Sequence, residues 1–419
     1  MEFTVPANYL DVISSHFHHE ATRHARRRKD FTNHALYILH ALKTKQSFKR
    51  ESLNGFFPLN KELLESIISK AKRLEVIRYL VKIGLVEVNH EYAFKINNRT
   101  YQVKKGRVST TTESQAGSIS KGYRLTDKAN DSRWITHQVK DRLLVAKLNR
   151  WQERFEAESK KLITKKGGGY QITNYWLTSL KIDEVKSLAY IEQFSPKKYD
   201  AYKYQIESIS KKKFNTLIDD NGRFHHNLTN LKKELRQYLT IDNDTLIGFD
   251  IVNSQPTFLG IYLNKLNVDS NELNNYLKQC KNGQVYEYIN GANFATPVER
   301  SEFKRQLFKS VFFGKVMNMS SNEAGKKFQA LFPNIYTTIK GVKNEFGANY
   351  IANKLQTIES KFIFDLINYI NTEAGGQVPL ISLHDAIYTT ESNYDVLAVL
   401  CSRYSELKTN SFIKFDCNG

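Results

Sequence analysis

Two short apolar runs, far apart in the chain, each lead to an acidic residue. The first run, Leu246 to Phe249, ends at Asp250, and the second, residues 378–383, is followed closely by Asp385. Residues 386–389 then return to apolar and β-prone types. This pattern predicts two strands and a hairpin that fix two carboxylates at one rigid point. For either Asp alone, an ordinary turn after a strand explains the pattern, so the hypothesis depends on the pair and on the residues between them.

Residues 31–127 combine helical and strand-like patterns. Helical periodicity covers 31–42 and 63–83, Gly84 ends the second helix, and short strands are predicted at 85–88 and 122–125. Helix, glycine, strand, basic loop and strand in this order resemble a winged helix, whose relatives place a helix in the major groove. Arg73 on the helix, and Lys104 and Lys105 in the polar loop, would then contact DNA. The alternative is a small helical domain with a hairpin.

The charge balance points to a polyanionic partner. The 419 residues include 62 Lys and Arg against 43 Asp and Glu, which gives a net charge of +19. Nucleic acid is the simplest partner, and an anionic membrane surface is the alternative. No apolar run approaches the roughly 20 residues that cross a bilayer, the N-terminus lacks a signal-peptide pattern, and the three cysteines are widely spaced. We therefore expect a protein that is not secreted, binds nucleic acid and has no membrane partner. It would be cytoplasmic, or located wherever the DNA of a replicating element is copied.

Five stretches of the second half carry polar and aromatic residues at defined spacings. They are Gly222-Arg223 with Asn230-Leu231, Asp250 with Ser254-Gln255, Arg300 with Lys304, Phe308, Phe312 and Phe313-Gly314, Asn353 with Gln356, and His384-Asp385. Helix positions four apart share a face, so the stretch at 300–312 would carry two cations and two rings on one stripe. The cations can neutralise a triphosphate, and a ring can stack on a base. An ordinary amphipathic basic helix is the alternative.

In their order and spacing, these stretches resemble the motifs of family A DNA polymerases, with a relation to single-subunit phage-type RNA polymerases. The resemblance covers residues 222–390. The chain departs from the family where Thr229 replaces a Pro, where Ala386 replaces a third acid and where Phe313-Gly314 replace Tyr-Gly one residue late. The stretch that begins at Asn353 is also one residue shorter than its counterpart in the family. The register of motif A also leaves the position of the sugar-selecting residue open, and Gln255 is the best candidate.

The resemblance implies an α+β fold, a right-hand polymerase palm with fingers and thumb of family A type and an N-terminal winged-helix-like domain. We expect a basic arm at 1–30 and the winged-helix-like domain at 31–127. A helical, basic, thumb-like lobe would follow at 128–240. The palm would occupy 241–419, with a fingers insertion at about 270–350.

The resemblance also implies roles for individual residues. Asp250 and Asp385 would hold two Mg²⁺ ions, and His384 would position the primer end. Lys304 would neutralise or protonate the leaving group. If motif B is aligned on Phe313-Gly314 instead, Arg305 takes the position of Lys304. Arg does not readily release a proton, so Lys304 is preferred. The implied nucleotide-binding residues are Arg300, Lys304, Phe308, Phe312 and Gln255. The implied nucleic-acid-binding residues are Arg223, Asn230 and Gln356, beside Arg73, Lys104 and Lys105.

The implied function is a DNA-dependent DNA polymerase that extends a primer with nucleoside triphosphates by two-metal-ion catalysis. No pair of exonuclease-type acids precedes residue 222, so proofreading is not expected. Bulky Gln255, together with a Phe in place of the Tyr of motif B, predicts a preference for deoxynucleotides. Two alternatives remain open. One is a single-subunit RNA polymerase or primase-type polymerase, and the other is a non-catalytic DNA-binding replication factor with a palm-like fold.

Overall fold

The chain forms an α+β protein of two compact units. The computed structural model describes residues 1–23, 31–48, 56–57, 59, 61–89, 92–96, 99–104, 107–111, 122–194, 196–266, 268, 270–409 and 411–418. The first unit comprises Met1–Ala157 with Ile191–Tyr204, and the second Glu158–Tyr190 with Gln205–Gly419. The units therefore divide about thirty residues after the expected domain boundary at 127/128, and residues 128–157 belong to the first unit.

Helices account for most of the described residues. The α-helices are α1 (Leu10–Arg23), α2 (Thr32–Phe48), α3 (Lys61–Ile67), α4 (Lys70–Lys82), α5 (Asp127–Asn130), α6 (Arg142–Lys166), α7 (Gly168–Ser179), α8 (Glu184–Ile191), α9 (Pro196–Ser210), α10 (Asn227–Asn230), α11 (Ser254–Asn264), α12 (Ser270–Lys281), α13 (Val285–Asn290), α14 (Pro297–Leu307), α15 (Glu323–Leu331), α16 (Pro333–Phe346), α17 (Tyr350–Glu373) and α18 (Tyr394–Thr409). A π-helix, Phe308–Phe312, continues α14. None of the helices in the described ranges is long and apolar enough to cross a membrane.

The strands are short and pair antiparallel. They are β1 (Glu2–Pro6), β2 (Val86–Val88), β3 (Tyr92–Ile96), β4 (Arg99–Lys104), β5 (Arg107–Thr111), β6 (Tyr123–Leu125), β7 (Trp134–Gln138), β8 (Lys181–Ile182), β9 (Leu217–Ile218), β10 (Phe224–His225), β11 (Leu239–Ile241), β12 (Asp244–Ile251), β13 (Ile381–Leu383), β14 (Ala386–Thr390) and β15 (Phe415–Asn418).

The first unit contains the predicted succession of helix, glycine and paired strands. Gly84 follows α4 with a φ of +73°, a conformation that favours glycine, and β2 pairs with β6. The core beneath them is apolar and includes Leu39 of α2 and Leu80 of α4. The prediction of a polar loop between β2 and β6 is wrong in part, because β3, β4 and β5 form a three-stranded sheet in this segment. Alternating β-prone residues such as Tyr101 and Val103 favour strands even in a polar sequence.

The second unit is built around an antiparallel sheet with the strand order β13-β14-β12-β11-β8, whose strands differ in length. β15 also pairs with β12. β12 is the strand predicted from the apolar run before Asp250. It pairs with β14 from Leu246↔Thr390 to Asp250↔Ala386. The apolar face of α17, which includes Leu355, Phe362 and Leu366, is buried in this unit. The sheet therefore joins two segments that are far apart in the sequence and places the two acids at neighbouring strand ends.

Candidate active site

The hairpin between β13 and β14 turns on the two residues His384 and Asp385. Leu383 pairs with Ala386, so these two residues alone form the turn. His384 has a φ of +56°, in the left-handed region that a two-residue hairpin turn requires but that non-glycine residues rarely adopt. The backbone N–H of Ile251 donates to the carbonyl oxygen of Asp385 at 3.0 Å. This bond ties the turn to the end of β12 and brings Asp385 beside Asp250.

The charge of Asp250 disfavours the ionised form of Asp385. Burial raises the pKa of Asp385 to about 6, and the negative charges of Glu359 and Asp250 add to this shift. Burial also raises the pKa of Asp250, against the opposing effect of Lys233 and other nearby cations. Two half-buried acids that share a site are an arrangement in which added positive charge is stabilising.

Lys304 supplies positive charge to both acids. Its charge lowers the pKa of Asp250 and of Asp385. The ammonium group lies 5.7 Å from the ring centres of Tyr286 and of Phe308. Arg305, the alternative by register, instead pairs with Glu302 on its own helix at 2.7 Å and is largely exposed. The charge of Lys304 therefore reaches the acid pair, whereas Arg305 is engaged by Glu302 on its own helix.

The predicted stripe of two cations and two rings does not continue along one regular helix. The helix changes to π geometry at Phe308–Phe312, where the N–H of Phe313 donates to the carbonyl of Phe308 at 2.8 Å. A π turn accommodates one residue more than an α turn. Phe312 is consequently buried, at 1% exposure, whereas Phe313 is 39% exposed. Contact of Phe312 with a nucleotide stays a prediction, and its side chain is buried in this structure. The extra residue of the π turn accounts for the late position of Phe313-Gly314.

Arg300, at the other end of the stripe, already has an acidic partner. Its Nε donates to Oε1 of Glu287 at 2.5 Å, and its guanidinium lies 5.0 Å from the ring centre of Tyr286. Phe308 stacks on Phe312 with ring centres 4.8 Å apart. Arg300 and Phe308 thus lie on the same side as Lys304, with part of the charge of Arg300 neutralised by Glu287.

Glu359 of α17 is a site residue that the sequence did not indicate. Its side chain is 1% exposed and accepts hydrogen bonds from Arg223, from Oγ of Ser254 at 2.6 Å and from Nε2 of Gln255 at 2.5 Å. An acid on an otherwise apolar helix face was the available signal, because a buried carboxylate requires partners. Arg223 and Gln255, predicted to contact the primer and the sugar, are both brought to this acid.

Two histidines, His225 of β10 and His226 directly after it, lie beside the hairpin that carries His384. His225 pairs with Oδ2 of Asp219 at 2.8 Å, and its ring lies 5.6 Å from that of His384. Nε2 of His226 lies 2.7 Å from the carbonyl oxygen of Ser382. Burial lowers the pKa of His384 to about 4, with a further contribution from the charge of Arg223. His384 is therefore neutral at physiological pH and can orient a ligand by hydrogen bonding rather than by charge.

The remaining predicted nucleic-acid contacts are dispersed. Asn230, the last residue of α10, is exposed, and Oε1 of Gln356 accepts from Asn221 at 2.9 Å. In the first unit, Arg73 is only 13% exposed and lies 3.6 Å from Glu65. Lys104 is the last residue of β4, and Lys105 lies outside the described residues. The prediction that Lys104 belongs to a loop is wrong, because its backbone is part of strand β4.

The two carboxylates suit a magnesium ion better than a metal ion that is enclosed by protein ligands alone. In the ranges that the structure describes, no group of three or more His, Cys, Asp or Glu side chains is arranged to hold a metal ion. Magnesium is commonly bound by one or two carboxylates together with substrate phosphates and water. Asp250 and Asp385, two hard oxygen donors whose mutual repulsion a cation would relieve, provide that set.

Comparison with known proteins gives a distant structural likeness. No protein-family model matches the chain, and no curated protein matches it. Among solved structures, the chain is similar to the POL domain of Pol1 from M. smegmatis, in its complex with DNA primer-template and dNTP. The likeness has 12% sequence identity and a TM-score of 0.39, and it covers 53% of this chain and 52% of that chain.

Proposed function

We propose that the second unit is a template-directed nucleotidyltransferase with a polymerase palm, and that it extends a DNA primer with deoxynucleoside triphosphates without proofreading. The observation that carries the proposal is the convergence of Asp250, near the end of β12, and Asp385, in the turn before β14, with the charge of Lys304 acting on both. Such an arrangement of two acids and one cation suits the transfer of a phosphoryl group, in which charge develops on non-bridging and leaving oxygens.

Magnesium ions would be held by Asp250 and Asp385, and when bound they would supply the positive charge that activates a 3′-hydroxyl and stabilises the leaving pyrophosphate. Lys304 would contact the triphosphate and donate positive charge or a proton to the leaving group. His384, neutral and fixed by its turn, would orient the primer end. Phe313, exposed after the π turn, is better placed than Phe312 to meet a base.

Primer extension tests the proposal directly. Purified full-length protein is mixed with a labelled primer-template, Mg²⁺ and either deoxynucleotides or ribonucleotides. We expect extension with deoxynucleotides, and a loss of about 10³-fold or more in Asp250→Asn and in Asp385→Asn, because each removes charge that stabilises the transition state. Binding to the primer-template should persist in both variants.

Asp365→Asn is the matched control, since Asp365 is a partly exposed acid of α17 that pairs across one helical turn with Lys361 at 2.9 Å. It should extend the primer at the wild-type rate. Extension with ribonucleotides alone would move the protein to the RNA-polymerase or primase alternative. Binding of the primer-template without any extension would support the alternative of a non-catalytic replication factor.

A further inference from the structure

The outer edge of β13 is held by two buried side chains. In the described sheet, β13 lies at one end of the strand order and pairs with β14. Nε2 of His226 donates to the carbonyl oxygen of the central residue of β13, Ser382, at 2.7 Å. The N–H of Ser382 donates to Oγ1 of Thr173 in α7 at 3.3 Å. Side chains therefore satisfy both backbone groups that Ser382 presents at the open edge of the sheet.

The bond from His226 has one possible direction. Burial lowers the pKa of His226 to about 4, so the ring is neutral at physiological pH and carries a single N–H. A carbonyl oxygen only accepts hydrogen bonds, which puts that hydrogen on Nε2. His226 and Ser382 are both buried, so bulk water does not compete for this bond. A side chain without an N–H at position 226 would therefore leave the carbonyl of Ser382 unpaired, which is unfavourable.

This contact lies next to the turn that carries Asp385. β13 has only three residues, and Leu383, the residue after Ser382, closes the two-residue turn. So short a strand contributes few backbone bonds, and the position of the turn depends on contacts from outside the hairpin. One is the bond from the N–H of Ile251 to the carbonyl oxygen of Asp385, which comes from β12. The bond from His226 is another, on the opposite side of the hairpin.

Resting on the polymerase function proposed above, we propose that His226 is a positioning residue that holds the turn at Asp385 where this carboxylate and that of Asp250 share the metal ions. Without the N–H of His226, β13 and the turn gain freedom, and the carboxylate of Asp385 spends less time beside that of Asp250. Groups that orient metal ligands in this way typically change metal affinity or activity by about 10–100-fold when they are lost. Thr173 supports the same edge through a longer bond, so its loss should have a smaller effect in the same direction.

The test combines metal binding with primer extension, both with the full-length protein. Mn²⁺ replaces Mg²⁺ in the binding experiment, because it takes the same oxygen ligands and its free ion is measured by EPR. We expect His226→Met to weaken Mn²⁺ binding by about tenfold and to lower kcat by a similar factor, with KM for the primer-template unchanged. His226→Gln, which has the length of Met and restores an N–H donor, should bind Mn²⁺ nearly as tightly as the wild type.

His40→Met is the control for the general effect of losing a neutral histidine. Burial lowers the pKa of His40 to about 4 as well, and its Nδ1 accepts a bond from the N–H of Thr4 at 3.0 Å, in the first unit. This variant should bind Mn²⁺ as the wild type does. Asp385→Asn sets the affinity to expect when the site itself is lost. Should His226→Met fail to fold, Thr173→Val tests the same edge, since it removes the acceptor and keeps the shape of the side chain.

Wild-type Mn²⁺ affinity in the folded variant, or equal losses in His226→Met and His226→Gln, would overturn the inference while extension itself stands. Mn²⁺ affinities in the expected order, without extension by the wild type, would overturn the proposed function and leave the inference standing for the metal site. Absence of both Mn²⁺ binding and extension in the wild type would overturn the two together.

Discussion

At the scale of single residues, Gly248 is the position where β12 has no room for a side chain. It pairs with Tyr388 of β14, and an added Cβ would lie 2.7 Å from Cζ of the Tyr388 ring. The hydroxyl of Tyr388 accepts a hydrogen bond from Arg236 at 2.9 Å, so the ring cannot shift without disturbing that bond. The absence of a side chain at Gly248 thus allows Tyr388 to lie across the strand beside the acid pair.

Gly248→Ala should lower the free energy of unfolding by about 1–3 kcal/mol, the usual effect of overpacking a buried site. Gly341→Ala is the control, because Gly341 of α16 has open space around its Cα. There, a gain of up to about 1 kcal/mol is expected, since Ala favours a helix interior over Gly. Urea unfolding of both variants measures the difference, and equal shifts would contradict this account of Gly248.

At the scale of elements, the π turn after α14 is stabilised by a buried lysine of α16. Lys343 is 2% exposed, and its Nζ donates to the carbonyl oxygens of Val311 at 2.6 Å and of Gly314 at 2.8 Å. These carbonyls lie at the end of the π turn, where helix geometry leaves acceptors without intrahelical donors. Lys343 therefore fixes the segment that presents Phe313.

Lys343 should make stability depend on alkaline pH. Burial lowers its pKa from 10.5 to about 8. Between these values the unfolded chain binds one proton more than the folded chain, so the free energy of unfolding rises with pH, by at most about 1.4 kcal/mol per pH unit. Below pH 8 the amine is protonated in both states and this dependence ends.

Guanidinium unfolding at pH 7, 8 and 9 would measure this slope. Lys343→Met should remove the increase in the free energy of unfolding that occurs above pH 8. Lys340→Met, at an exposed position of the same helix, should retain it. An identical pH dependence in the wild type and in Lys343→Met would show that the ammonium group is not the source.

Helices and strands were predicted from the sequence more successfully than contacts between distant side chains. The strand before Asp250 and the hairpin at Asp385 are present because apolar alternation is a local signal that their burial preserves. The π turn was not predictable, since a change from i→i+4 to i→i+5 bonding has no residue signature that a helical pattern shows. Glu359 was missed for another reason: its partners Arg223 and Ser254 come from distant segments, and a charged residue in a predicted helix is usually exposed.

At the scale of the whole molecule, the net charge of +19 predicts salt-dependent binding to nucleic acid, and the structure shows which cations of the first unit are available. On α4, Lys72 lies 2.7 Å from Glu75, and Arg73 pairs with Glu65. The exposed cations of this helix are instead Lys70, Arg78 and Lys82. If this unit acts as a winged helix, these three, rather than Arg73, would reach the phosphates.

The triple variant Lys70→Gln, Arg78→Gln, Lys82→Gln should bind duplex DNA more weakly than the wild type. The slope of log affinity against log salt should decrease by about 2–3, because each lost phosphate contact removes about 0.9 from it. Fluorescence anisotropy of the full-length protein at several salt concentrations measures the slope. Arg73→Gln should leave the slope near the wild-type value, and a larger effect of Arg73→Gln than of the triple variant would contradict this assignment.

The pairing of β12 with β14 also has a consequence for how the chain folds. Residue 250 pairs with residue 386, and α11 to α17 lie between them in the sequence. Closing so long a loop is entropically costly and slow, whereas helices form from neighbouring residues. We therefore expect the intervening helices to form first and the acid pair to assemble late. Until β14 arrives, the edge of β12 can pair with strands of other chains, so refolding yield should fall as protein concentration rises.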